Sequence, residues 1–270
     1  MKISYLGPLG TFSYQAVQNY INTNNISDYT LYDFKTITEA IFSIINKISD
    51  IAIVPIENSI QGSVFETMDT LLENNNICIK KDFVLNVTQN LLGNCSYKDI
   101  EKIYSHPQAI AQCRNYLNTN FKNIEIVEVS STALAAKMVS NLPNTACISN
   151  ISCSKEYNLN VLDQNIQDNN NNKTRFIVLG LKNTSFNKDF SKTSIYFSTL
   201  NKPGELYRIL GLFNIFDINL TKIESRPAKT SLGEYVFWID FESSPENKSI
   251  PILLEQIKNM CSYFRILGSY

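Results

Sequence analysis

Ile3-Ser4-Tyr5-Leu6-Gly7-Pro8-Leu9-Gly10-Thr11-Phe12-Ser13 is the stretch that decides the fold class. A short apolar run ends in a junction of Gly, Pro, Thr and Ser, and helical spacing follows through Tyr20. The same phrase returns four times further along. Residues 51–54 lead to Pro55-Ile56-Glu57-Asn58-Ser59 and a helix near 64–72. Residues 102–104 lead to Ser105-His106-Pro107-Gln108 and a helix through Leu117. Residues 124–129 lead to Ser130-Ser131-Thr132 and a helix over 133–140, and residues 145–148 lead to Ser149-Asn150 and another short helix. Strands alternating with helices predict an α/β fold with mostly parallel strands.

Those junctions also carry chemistry. Ser, Thr and Asn cap the free N–H groups at a helix start, and the same N–H groups, with the helix dipole, bind anions. In open α/β sheets ligands sit at the carboxyl ends of the strands. The junctions therefore either act only as caps or converge on one site suited to carboxylates. Asn-rich stretches at 22–25, 74–76 and 169–172 interrupt the pattern and read as turns or loops.

The rhythm changes after a polar linker at 182–192, and the domain boundary is expected near residue 185. Residues 193–199 alternate as a strand, Asn201-Lys202-Pro203-Gly204 makes a turn, and 205–213 has helical spacing. Strands follow at 218–225 and 234–241 with Leu232-Gly233 in the turn between them, then a helix over 250–260 and a strand over 263–267. The order βαββαβ is that of a ferredoxin-like module.

Composition narrows the function. A chain of 270 residues with 44% hydrophobic and 18% charged residues buries a core without disulfides. Lys plus Arg number 24 against 25 for Asp plus Glu, and this balance argues against a nucleic-acid partner. No apolar stretch reaches the length of a membrane span, so no membrane partner is expected. Cys78, Cys95, Cys113, Cys147, Cys153 and Cys261 form no C-x-x-C pair, and no apolar h-region follows Met1. Free, mostly buried thiols in a reduced, cytoplasmic protein are the expectation. A single histidine rules out multi-histidine metal sites. His106 directly follows Ser105 at a helix start, where the dipole disfavours an imidazolium, so it reads as an orienting residue more readily than a catalytic one. No dinucleotide loop, Walker A, G-x-S-x-G or H-E-x-x-H motif occurs.

The ordered set Gly7-Pro8-Leu9-Gly10-Thr11-Phe12-Ser13, Val54-Pro55-Ile56-Glu57-Asn58-Ser59-Ile60-Gln61-Gly62, Tyr104-Ser105-His106-Pro107-Gln108-Ala109 with Gln112-Cys113, and Thr174-Arg175-Phe176 resembles prephenate dehydratase. Pro203-Gly204-Glu205-Leu206-Tyr207 and Ile218-Asn219-Leu220-Thr221-Lys222-Ile223-Glu224-Ser225-Arg226-Pro227 resemble the ACT regulatory domain of the same enzymes. The resemblance implies the monofunctional form: a two-lobed, periplasmic-binding-protein-like catalytic domain over 1–183 and an ACT domain over 192–270. The lobe crossings are expected near 76–91 and 171–179. It implies a lyase of phenylalanine biosynthesis that acts on prephenate without a cofactor, and a homodimer or tetramer. L-phenylalanine would be the allosteric inhibitor.

By the same resemblance Thr174, Asn58, Ser105 and Gln112 are the catalytic candidates. Arg175, Phe176, Thr11, Ser131 and Thr132 are the substrate-binding candidates. Thr174 matches the family's essential threonine; a hydroxyl is a weak acid, so its expected part is a hydrogen bond to the departing oxygen. Arg175 is either a bidentate carboxylate partner or half of an inter-lobe salt bridge. Phe176 either packs on the substrate ring or starts the strand core. Glu57 is either a proton source or a cap. The phenylalanine site would use Gly204, Glu205, Leu206, Glu224, Ser225, Arg226 and Pro227. Glu205 stands where the family carries a small alanine, adding bulk and negative charge near a site for an amino acid's carboxylate. The competing readings are a non-catalytic small-anion sensor and an arogenate dehydratase.

Overall fold

The computed structural model describes residues 1–182, 189–200, 202–228 and 235–270. The first lobe begins with β1 (Lys2–Leu6), α1 (Phe12–Thr23), β2 (Thr30–Phe34), α2 (Ile37–Ile45) and β3 (Ile51–Asn58). It continues through β4 (Gly62–Ser63), α3 (Phe65–Glu73) and β5 (Ile77–Asn86). The chain then builds a second sheet before it returns as β11 (Lys173–Leu181). The first sheet has the order β2-β1-β3-β11-β5, with β4 folded back on β3, and β1 is parallel to both β2 and β3. Ile3, Ile53, Val54, Ile56 and Ile177 are fully buried in it.

The second lobe holds β6 (Asn90–Gly93), β7 (Lys102–Ser105), α4 (Pro107–Gln112), α5 (Arg114–Asn120) and β8 (Glu125–Glu128). It then adds α6 (Thr132–Val139), β9 (Thr145–Ser149), α7 (Ser152–Glu156) and β10 (Asn160–Asp163). Its sheet runs β10-β6-β9-β7-β8. β7 lies parallel to β8 and β9, but β6 and β10 pair antiparallel. The mostly parallel expectation therefore holds for the centre of this sheet and fails at the two strands that lead into and out of the lobe.

Local chemistry sets the helix boundaries. Thr11 caps α1 by accepting from Tyr14 N at 3.2 Å, and Thr36 with Glu39 forms a reciprocal capping box on α2. That box is a sequence signal which the strand–helix reading passed over, together with β2 itself. The helix expected through Leu117 is two: α4 ends at Cys113, whose N–H bonds to Ile110 O. α5 restarts with its Asn115 N–H on the Asp168 carboxylate. Among the described residues no helix is long and apolar enough to cross a membrane.

Two neighbouring segments connect the lobes. Val87 N donates to Asn172 O and Ile166 N donates to Gln89 O, each at 2.9 Å. The lobes meet a second time at the loop before α1. There Gly10 O accepts from Asn150 Nδ2 at 2.5 Å and from Cys153 Sγ at 3.0 Å, and Tyr157 donates to Leu9 O at 3.2 Å. Gly10 has φ of +80°, and a Cβ there would lie 2.8 Å from Cys153 Sγ, so glycine is required on both counts.

Residue contacts divide the chain into two units, Met1–Thr70 with Phe83–Ile177, and Leu71–Asp82 with Val178–Tyr270. The second unit takes in halves of β5 and β11 that the sequence reading assigned to residues 1–183. The expected boundary near 185 and the turn at Leu232-Gly233 lie outside the described residues, as does Asn201. The second unit carries β12 (Lys192–Ser198), α8 (Glu205–Ile215), β13 (Leu220–Pro227), β14 (Tyr235–Glu242), α9 (Ser249–Met260) and β15 (Tyr263–Ser269). This is the βαββαβ order read from the sequence, with the antiparallel sheet β13-β14-β12-β15. Ile195, Phe197, Ile209, Phe213, Ile239, Phe241, Leu253 and Ile257 form its core.

Candidate active site

Asn58 ends β3, and its Oδ1 closes the turn into β4 by accepting from Ile60 N and Gln61 N, both at 3.0 Å. The carbonyl end is thereby committed, and the amide NH2 must donate. It does so to Asn172 Oδ1 and Thr174 Oγ1, each at 2.8 Å, with Lys173 O at 3.2 Å. Ser59 fastens the same corner: its N–H donates to Lys173 O at 2.8 Å, and its Oγ accepts from Lys173 N at 2.9 Å.

The direction of the Asn58–Thr174 bond has a chemical consequence. An amide NH2 cannot accept, so Thr174 Oγ1 is the acceptor and its own proton is turned elsewhere. Among the described residues that proton has no partner. Thr174 is buried at the start of β11, so the hydroxyl is held in one place with a donor to offer.

Arg175, next on the strand, faces Glu57 with Nη1 at 3.7 Å from Oε2. Both residues belong to the first lobe, on β3 and the adjacent β11, so this pair lies within one sheet. The guanidinium is largely buried and Glu57 is more than one-third exposed. Phe176 is 1% exposed and stacks on Phe83 with centroids 5.9 Å apart, and Phe83 stacks in turn on Tyr20. The ring therefore lies in the strand core, one of the two alternatives read for it from the sequence. Thr174 and Phe176 share one strand face, but Thr174 lies at the strand's polar start and Phe176 lies inside the sheet.

Gln112 ends α4, and its Oε1 accepts from Gln89 Nε2 at 3.2 Å. Ser105 is fully buried at the end of β7 and donates to Ile148 O at 2.7 Å, which ties β7 to β9 and commits its proton to the sheet. Thr11 is used twice, as the cap of α1 and as a donor to Leu6 O at 3.3 Å. Ser131 caps α6 by accepting from Leu134 N at 3.0 Å, and Thr132 begins that helix, half-buried. His106 caps α4 through Nδ1, which accepts from Gln108 N at 3.2 Å. The proton of a neutral ring then sits on Nε2.

Asn172, Gln89, Gln167 and Asn150 were not singled out from the sequence. All four are buried. Asn172 lies in the Asn-rich run 169–172, where composition says only loop; its place two residues before Thr174 was the available signal.

The six cysteines are free, and four are buried. Desolvation pushes the Cys113 thiol up to about 12 and the Cys153 thiol up to about 11. These are inert packing groups rather than nucleophiles.

In the second unit Gly204 precedes α8 in the left-handed region, with φ of +84°. Glu205 is paired with Arg208 one turn along at 3.1 Å, which offsets the charge that the alanine-to-glutamate difference introduces. Leu206 packs against the core. Glu224, Ser225, Arg226 and Pro227 lie on β13, the edge strand, opposite Trp238, Phe237, Val236 and Tyr235 of β14. Glu224 and Arg226 are half-buried, while Ser225 and Pro227 are exposed.

Comparison with known proteins agrees with this layout. The profile of the prephenate dehydratase family matches residues 3–184. The prephenate dehydratase of Lactococcus lactis subsp. cremoris is 38% identical over 276 residues, covering 100% of this chain and 97% of that one. Among solved structures, prephenate dehydratase from Arthrobacter aurescens in complex with L-Phe has a TM-score of 0.88 and 30% identity, covering 100% of this chain and 89% of that chain. A quorum quenching acylase of a novel type has the same TM-score, 0.88, at 25% identity, covering 100% of this chain and 97% of that one. The chain belongs to the prephenate dehydratase family.

Proposed function

We propose that this chain converts prephenate to phenylpyruvate, carbon dioxide and water, and that phenylalanine regulates it through an ACT domain over 192–270. In the reaction one ring carbon loses its carboxylate as carbon dioxide. The electron pair of the broken C–C bond moves through the ring and expels the hydroxyl from the opposite carbon, and that hydroxyl takes a proton from solvent and leaves as water. Aromatisation supplies the driving force, so the protein's task is to position the ring and to help the departing oxygen.

The observation that carries this reading is the orientation of Thr174. Asn58 donates to its oxygen at 2.8 Å, which leaves the Thr174 proton for the departing hydroxyl. A preorganised donor of this kind is worth about 3 kcal/mol in the transition state. Arg175 binds a substrate carboxylate in competition with Glu57, which already shares its guanidinium. Gln112 offers its free NH2 end to the substrate. Ser105 acts as a positioning residue through Ile148 O. Thr11, Ser131 and Thr132 contribute through the helix starts that they form. Glu57, exposed beside Arg175, tunes that cation rather than supplying the proton.

An acylase reading would need an activated nucleophile. The one histidine of the chain is engaged as a helix cap through Nδ1, and burial raises the Cys113 and Cys153 thiols, so the dehydratase reading is favoured. For regulation, the left-handed Gly204, the Glu205–Arg208 ion pair and the Glu224-Ser225-Arg226-Pro227 edge support a phenylalanine site in a homodimer or tetramer. Six free thiols fit a reduced, cytoplasmic setting.

Incubating the purified protein with prephenate and following phenylpyruvate tests the activity. Turnover is expected; prephenate binding without turnover would replace the enzyme by an anion sensor. Calorimetry with phenylalanine at millimolar concentration tests the regulation, with binding and inhibition expected together.

A further inference from the structure

Gln89 lies between β5 and β6, on the first segment that joins the lobes, and is 3% exposed. All but one of its polar groups are occupied. Its backbone N–H donates to Gln167 Oε1 at 2.8 Å, its carbonyl accepts from Ile166 N at 2.9 Å, and its Nε2 donates to Gln112 Oε1 at 3.2 Å. Its Oε1 is buried with no partner among the described residues. A buried acceptor left in that state is costly, and such an exception calls for an explanation. Exchanging the two ends of the amide is worse, because Gln89 Oε1 would then oppose Gln112 Oε1 and a buried NH2 would meet nothing, and orphaned N–H groups are rarer than under-satisfied carbonyls.

We infer that Gln89 is a positioning residue that sets which end of the Gln112 amide faces the substrate; this rests on the dehydratase reading above. With Gln89 Nε2 donating, the Gln112 carbonyl is occupied and its NH2 is the free end. An NH2 suits a carboxylate or a carbonyl oxygen of the substrate, whereas a free Gln112 carbonyl would repel them. Released from Gln89, the Gln112 amide rotates and presents either end. The unmet Gln89 oxygen is the cost of holding that orientation on a segment whose backbone is already fixed at both N–H and C=O.

The roles can be separated because they predict opposite signs. Gln89→Met keeps length and volume and removes both the donor to Gln112 and the unmet acceptor. A residue kept only for stability would melt lower when changed. A positioning residue of this kind gives a melting temperature equal to or above that of the wild type, with KM for prephenate raised roughly tenfold and kcat changed less. In a Gln112→Met background the same change has no further effect on KM, since the amide to be oriented is gone. Wild-type KM in Gln89→Met, a loss that tracks a lowered melting temperature, or full additivity with Gln112→Met would each overturn the inference. A wild-type protein that does not turn over prephenate would instead overturn the dehydratase reading, so the two failures are distinguishable.

Discussion

The two lobes of the catalytic part meet in two places of different chemistry. At the crossings two joints are backbone to backbone, Val87 to Asn172 and Ile166 to Gln89, beside the Gln167 side chain on Gln89 N. At the loop before α1 the joints are side chains, Asn150, Cys153 and Tyr157, onto the carbonyls of Gly10 and Leu9. Backbone bonds survive any single substitution except proline, whereas a side-chain bond is lost with its residue. The crossings also adjoin the Asn58–Asn172–Thr174 cluster. The difference suggests a division: chemistry is built on the joint that mutation can hardly loosen, and lobe spacing is held by the joint that it can.

The largest effect expected is on the crossing side. Phe176→Ala should cost about 3–5 kcal/mol of stability by emptying a ring-sized space against Phe83. Urea unfolding measures it, and a cost under about 1 kcal/mol would return Phe176 to the substrate's side. Thr174→Ala should lower kcat by roughly two orders of magnitude with little change in melting temperature, while Thr174→Ser keeps much of the rate. Equal rates for Thr174→Ala and wild type would detach the chemistry from the crossings.

On the other joint, Asn150→Ala should cost about 1–3 kcal/mol, since it strips a buried donor from Gly10 O and the acceptor from Ser152 N. Its kcat should stay within a few-fold of the wild type; a hundredfold drop would erase the division. The smallest effect is on pH dependence. Cys153, with its thiol raised to about 11 by burial, keeps its proton in the folded state where the unfolded chain loses it near the ordinary thiol value of 9.0. Above that value the native state binds more protons than the unfolded state, so stability falls as pH rises. The urea midpoint should be lower at pH 10 than at pH 8, with a smaller difference in Cys153→Ala.

Much of this was legible in the sequence, and the particular residues show where it stopped being so. The βαββαβ module emerged from periodicity because each of its elements alternates or turns at the expected spacing. Asn58 and Thr174 emerged from motifs, yet their relation did not. They stand 116 positions apart, and only the adjacency of β3 and β11 puts one amide on one hydroxyl. The two alternatives for Phe176 stayed open for a related reason. Period-two alternation says which face a residue takes, but how far along the strand the cleft ends is a tertiary fact. Gln89 gave no signal because a buried amide and an exposed one are written with the same letter.

The insertion of one lobe within the other also orders events in time. Every strand of the second sheet lies between Asn90 and Asp163, whereas the first sheet needs both β1 and β11. A ribosome synthesises the whole second sheet before the strand that carries Thr174 exists. The second lobe can reach its native pairing from contacts within its own span, and the first must keep β1, β2 and β3 waiting for their last neighbour. The polar cluster around Asn58 is thus assembled by the final stitch of the catalytic part, so a chain truncated before Lys173 would contain most of the scaffold and none of the completed site.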